Sequence, residues 1–127
     1  MRRLRWPLAA FCCLPIAAQA GPMEESLKKL DPEERAHQAC ALKGMDALRR
    51  DKRLPRVDRL QTRVTGAAVI DGTVMTGKGG AVRAKGRWYA LTFTCTVTAD
   101  RMKALSFTYE LGQEIPEAKW DAYGLWR

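Results

Sequence analysis

The chain has 127 residues, 22 lysines and arginines against 14 acids, a net charge of +8 and a single histidine. That length holds one small domain and its core. One histidine and scattered acids give little material for a histidine-based nucleophilic or metal centre.

Met1-Arg2-Arg3-Leu4-Arg5 is a short cationic start, and Trp6 to Ala18 is an apolar run interrupted by Pro7 and Pro15. The run is shorter than the roughly 20 residues of a membrane span. Ala18-Gln19-Ala20 ends it with the small-x-small pattern of a cleavage site. Residues 1–20 therefore read as a signal peptide cut after Ala20, which predicts a periplasmic or secreted protein. Neither Cys12 nor Cys13 has the small residues before it that a lipoprotein signal requires. The Arg2-Arg3 pair lacks the polar lead-in of twin-arginine export. Cleavage removes Arg2, Arg3 and Arg5 and no acid, so the net charge falls from +8 to +5. It also removes Cys12 and Cys13, leaving Cys40 and Cys95, for which one pairing exists. In an oxidising compartment that disulfide is the expectation. No later apolar run is long enough to cross a membrane.

Residues 21–30 are a polar lead-in with room for a short helix, and residues 31–127 form the domain. Asp31-Pro32-Glu33-Glu34 is a helix start: Asp31 caps, Pro32 suits the first turn and Glu34 closes a capping box. The helix runs to about Arg50, in the basic stretch before Pro55. Around Cys40 the helical wheel gathers Ala36, Gly44 and Ala47, with Leu48 at the margin. A face of such small side chains permits the close approach to a sheet that a disulfide demands.

From about Arg59 the pattern turns to strands. Val64 to Ile70 is followed by the hairpin signal Asp71-Gly72 and by Thr73 to Thr76. Gly77-Lys78-Gly79-Gly80 marks a bulge or bend, Ala81 to Ala84 resumes the strand, and Lys85-Gly86 turns it. Arg87 to Val97 alternates cleanly: Tyr89, Leu91, Phe93, Cys95 and Val97 share one face, Trp88, Ala90, Thr92, Thr94 and Thr96 the other. Met102 to Leu111 repeats the alternation. Cys95 thus lies on an apolar face that must meet the small-residue face of the helix. The bridge from Cys40 to Cys95 closes a long loop, which makes it a large contributor to the stability of so small a domain. Pro116 opens a helical turn. The fold expected is α+β: one N-terminal helix on a four-stranded antiparallel meander, a short aromatic C-terminal helical element, and one helix-to-sheet disulfide.

The motifs Trp88-Tyr89-x-Leu91-x-Phe93-x-Cys95, Ser106-Phe107-x-Tyr109-x-x-Gly112-x-x-Ile115-Pro116, Trp120 and Leu125-Trp126 resemble the bacterial domain of unknown function 930 family. Leu30-Asp31-Pro32-x-x-Arg35 and Cys40 resemble its N-terminal helix. The resemblance spans roughly residues 30–127 and is weakest from Lys52 to Gly80. It implies an exported alphaproteobacterial protein and a shared fold, and it brings no activity.

Gly72 to Gly79 falls short of a phosphate-binding loop, because Gly79 stands where Ser or Thr must reach magnesium and a strand follows instead of a helix. His37 and Cys40 would share a helix side, but two ligands do not close a metal site, so neither metal nor cofactor is expected and His37 reads as a polar helix-edge residue. Arg49, Arg50, Lys52, Arg53, Arg56, Arg59 and Arg63 face only Asp51 and Asp58 and form the candidate anion-binding segment. Trp88, Trp120, Tyr123 and Trp126 are a candidate aromatic surface, or else the second half of a small core. These features favour a non-catalytic binding or structural module of the cell envelope. Its partners would be an envelope protein or an anionic envelope component, and no nucleic-acid motif is present. The alternatives are a carboxylate-dependent hydrolase acting on wall polymer or glycan, and a binder of anionic envelope surfaces through residues 49–63.

Overall fold

In the computed structural model, residues 21–127 are described; the signal-peptide reading falls on residues 1–20, outside them. Two helices come first, α1 (Pro22–Lys28) and α2 (Pro32–Arg49). The strands are β1 (Val57–Gln61), β2 (Ala68–Asp71), β3 (Val74–Ala84), β4 (Arg87–Val97) and β5 (Ala104–Glu114). A 3-10 turn, Glu117–Lys119, leads into α3 (Trp120–Tyr123). The lead-in thus carries a helix of its own, held on α2 by Arg35, whose guanidinium donates to the carbonyls of Leu27, Lys28 and Leu30 at 3.1, 3.2 and 3.0 Å.

Asp31 caps α2 as its sequence implies, accepting from the Glu34 N–H at 3.0 Å. The small-residue stripe seats the helix against β1, β4 and β5. Gly44 sets the limit of approach: a Cβ there would stand 2.5 Å from Leu60 Cδ2 and 2.8 Å from the Phe107 ring. At this separation Cys40 and Cys95 join, their Cα atoms 5.9 Å apart. The bridge lies in the main core with Leu48, Met75, Val82, Leu91, Phe93, Val97 and Phe107.

The sheet is antiparallel with order β1-β3-β4-β5, and β2 also pairs with β3. It has five strands where the sequence suggests four, because the edge beside β3 is shared by two short strands. β1 lies along Ala81–Ala84 and β2 along Val74–Gly77. The bulge between Gly77 and Gly80 divides them. There the Gly79 carbonyl accepts from the N–H groups of both Val64 and Thr65, at 2.7 and 3.0 Å. That contact folds residues 62–67 into a loop, so the continuous strand expected from Val64 to Ile70 is replaced by β2 alone, and the strand before the loop starts at Val57. The last strand is also shifted, running to Glu114.

The C-terminal element covers part of the other face. Ala81, Trp88, Ile115, Trp120 and Leu125 form a second apolar cluster. Its polar edges are satisfied: the Trp88 indole donates to the Trp126 carbonyl at 2.7 Å and the Trp120 indole to the Ile115 carbonyl at 2.9 Å. Beyond this cluster the same face is bare and polar, with Thr76, Thr92, Thr94 and Thr108 exposed.

Candidate functional site

Several exposed basic residues lie where α2 ends. Asp51 organises the turn after the helix. Its carboxylate accepts from the Arg53 backbone at 2.9 Å, from the Arg53 guanidinium at 3.0 and 2.7 Å, and from the Tyr109 hydroxyl at 2.7 Å. These donors, Arg53 foremost, hold Asp51 well below the usual carboxylate range. Burial, and then the hydrogen bond to Asp51, raise the Tyr109 phenol above its ordinary value. Leu54 and Val57 are buried and pin the turn to the core. Arg49, Arg50, Lys52 and Arg56 are left on its outside, all exposed.

The β3–β4 hairpin adds to this surface. Lys85 and Gly86 both have positive φ, 49° and 73°. That is the pattern of a tight two-residue turn. Val57 pairs with Ala84, so Arg56 stands beside the turn, and the Lys85 N–H donates to the Arg56 carbonyl at 3.3 Å. An open depression of about 360 Å³ lies here, lined by Pro55, Ala84, Lys85, Arg87 and Tyr89. Arg87 sits 3.6 Å from Glu114 across the hairpin edge.

Acids near this end are already partnered. Asp58 accepts two hydrogen bonds from Arg83, at 2.8 Å and 2.7 Å. This charge-assisted contact lowers the Asp58 pKa. Arg83 is itself buried. Its guanidinium carbon lies 5.7 Å from the Trp88 ring centroid and 5.7 Å from that of Trp126, within reach of a cation–π attraction. The charges of Arg83 and Arg53 are therefore neutralised in place. No side-chain acceptor binds Arg50, Lys52, Arg56 or Lys85 among the described residues.

The fold divides the basic segment read from the sequence. Arg49, Arg50, Lys52 and Arg56 stay together; Arg53 is paired with Asp51; Arg59 lies on β1 and touches the Asp58 carbonyl at 3.4 Å. Arg63 departs altogether to pair with Glu34 at the start of α2. Lys85 and Arg87 join in their place. Their turn is legible in the sequence, but its neighbour across the sheet edge is not. Of the aromatic residues, Trp88 and Trp120 are buried in the second cluster, Tyr123 is half-buried, and Trp126 is exposed.

His37 is not a solvated edge residue. It is buried, and its Nδ1 lies 2.8 Å from Thr62 Oγ1. Burial is the main cause that lowers its pKa, and the Arg63 charge adds to it. Glu34, Asp51, Asp58 and Asp100 are all shifted downward by their hydrogen-bond partners. A glycosidase acid needs the opposite shift. Among the described residues no three His, Cys, Asp or Glu side chains converge as a metal site, and no helix is long and apolar enough to cross a membrane.

A family model described as Domain of Unknown Function (DUF930) matches residues 27–125, and the chain belongs to that family. No match was found among curated proteins or among solved structures.

Proposed function

We propose that this DUF930 member is an exported, non-catalytic binding module of the cell envelope, and that its basic end docks on anionic membrane surfaces. The observation that carries the reading is the group Arg50, Lys52, Arg56 and Lys85. These cations come from two segments of the chain, are exposed, and among the described residues have no carboxylate partner, while the neighbouring Asp51 and Asp58 are bound by other arginines. The leader-like residues 1–20 and the Cys40–Cys95 bridge support export, since such bridges persist in oxidising compartments.

The magnitude sets the character of the binding. A basic side chain near an anionic membrane contributes about 1 kcal/mol. Four of them give roughly 4 kcal/mol, a millimolar affinity for an isolated chain. Binding on this scale is weak and strongly dependent on salt.

Sedimentation with phosphatidylglycerol vesicles and with phosphatidylcholine vesicles tests the proposal. Retention is expected on the anionic vesicles alone at about 0.01 M salt. It should vanish at about 1 M, where the Debye length falls to about 3 Å. Equal retention on both vesicles, or none at low salt, would contradict it.

A further inference from the structure

The fold treats the tryptophans of the described residues in two ways. Trp88 and Trp120 are buried, and their indole N–H groups donate to the carbonyls of Trp126 and Ile115. Trp126 is 43% exposed, and among the described residues its own indole N–H has no acceptor. It keeps both an apolar ring face and a polar tip for something outside the fold.

The exposed ring is also held in place. It meets the Trp88 ring edge to face, with centroids 5.5 Å apart. The Arg83 guanidinium carbon lies 5.7 Å from its centroid, and Arg83 is fixed in turn by Asp58. These supports locate Trp126 at the basic end. Arg83 and Trp88 are cross-strand partners, one pair inside Ala84 and Arg87, which flank the Lys85–Gly86 turn. Arg127, the next residue in the chain, lines a depression of about 460 Å³ with Lys85, Arg87, Glu114 and Glu117. Both acids there are engaged: Glu114 lies 3.6 Å from Arg87, and Glu117 pairs with Arg127. Lys85 is left without a carboxylate partner among the described residues, close to an indole that is half in water.

We infer that Trp126 is the aromatic anchor of the basic end: where Lys85 and its neighbours meet an anionic membrane, the indole enters the headgroup layer. This rests on the membrane-docking reading above and adds a contact that charge does not supply. Tryptophan suits that layer, because its ring takes up apolar surroundings while its N–H stays available to a phosphate or ester oxygen. Basic side chains at the same level keep their charge among the headgroups. A ring already pinned by Trp88 and Arg83 loses little freedom on insertion. Charge draws the protein to the surface, and the anchor fixes which side of the basic end faces the lipid.

Quenching by brominated lipid tests the inference on the exported protein, which on the leader reading lacks Trp6. Trp88 and Trp120 are buried, so bromine near the glycerol end of phosphatidylglycerol acyl chains should quench Trp126 above all. At about 0.01 M salt, emission should be weaker on brominated than on unbrominated vesicles. That difference should disappear in Trp126→Phe, which keeps an aromatic ring against Trp88. Trp126→Ala should lower retention by about tenfold, the burial of part of one indole. The unaltered chain carries the decisive reading, so the test holds even where Trp126→Ala loosens the second cluster. Retention without any difference in emission would overturn the inference and leave charge-driven docking standing. No retention at low salt would overturn both. A change in Trp126 emission on adding a soluble oligosaccharide without vesicles would also overturn the inference, by assigning the ring to a glycan.

Discussion

Arg35 and Lys85 stand near opposite ends of the sheet and use their charge in opposite ways. Near the β4–β5 turn, Arg35 directs its guanidinium at four carbonyls, those of Leu27, Lys28, Leu30 and Asp100. That one side chain ties α1, the start of α2 and the turn together. At the other end Lys85 and its neighbours Arg50, Lys52 and Arg56 tie nothing together. The difference teaches that the number of cations in a segment says little about binding. What matters is how many remain after the fold has satisfied its own carbonyls and carboxylates. The stitched end should govern stability and the basic end should govern attachment, and substitutions can separate the two.

The largest expected effect lies in the core between the ends. Cys40 and Cys95 are separated by 55 residues of chain. Replacing both by Ser removes the constraint on that loop, which the chain-entropy relation puts at about 4 kcal/mol. Urea unfolding should show that loss, while the fraction still folded binds vesicles as before. Next comes Arg35→Ala, which leaves several carbonyls without their charged donor. A loss of about 2 kcal/mol in the same assay is expected, again with vesicle binding unchanged. Loss of binding in step with folded-state stability would break the comparison.

A smaller effect depends on pH. His37 is buried at the stitched end with its folded pKa lowered, chiefly by burial. The unfolded chain takes up the proton near 6.5. Below that pH it holds more protons than the folded chain, and stability falls as pH falls. The slope is at most about 1.4 kcal/mol per pH unit for one proton. Urea midpoints between about pH 7.5 and 5.5 should decline, and His37→Gln should flatten the decline. The smallest effect on stability belongs to the basic end. Lys52 is exposed and has no side-chain partner among the described residues, so Lys52→Ala should stay within about 0.5 kcal/mol.

Much of this architecture is legible in the residues. The Asp31 cap, the small-residue face of α2, the alternation of β4 and the Cys40–Cys95 pairing all follow from local pattern. The split edge does not, because it arises from one carbonyl, that of Gly79, accepting from Val64 and Thr65 across the sheet. His37 looks like a surface residue until residues 62–67 fold back and bring Thr62 to it. The candidate site is half legible. Arg49 to Arg56 stand out as a run, but the loss of Arg53 to Asp51, the departure of Arg63 to Glu34 and the arrival of Lys85 depend on register and tertiary contact.

Charge reversal at one end against the other tests the central claim most directly. Lys52→Glu with Lys85→Glu and Lys29→Glu with Lys103→Glu change the net charge equally, the first pair at the basic end and the second at the stitched end. All four side chains are exposed. On phosphatidylglycerol vesicles at low salt, the basic-end pair should weaken retention at least about tenfold, since two contributions of about 1 kcal/mol are lost and replaced by repulsion. The stitched-end pair should change it little. Equal losses from both pairs would mean that net charge alone drives attachment, and would contradict a docking surface at the basic end.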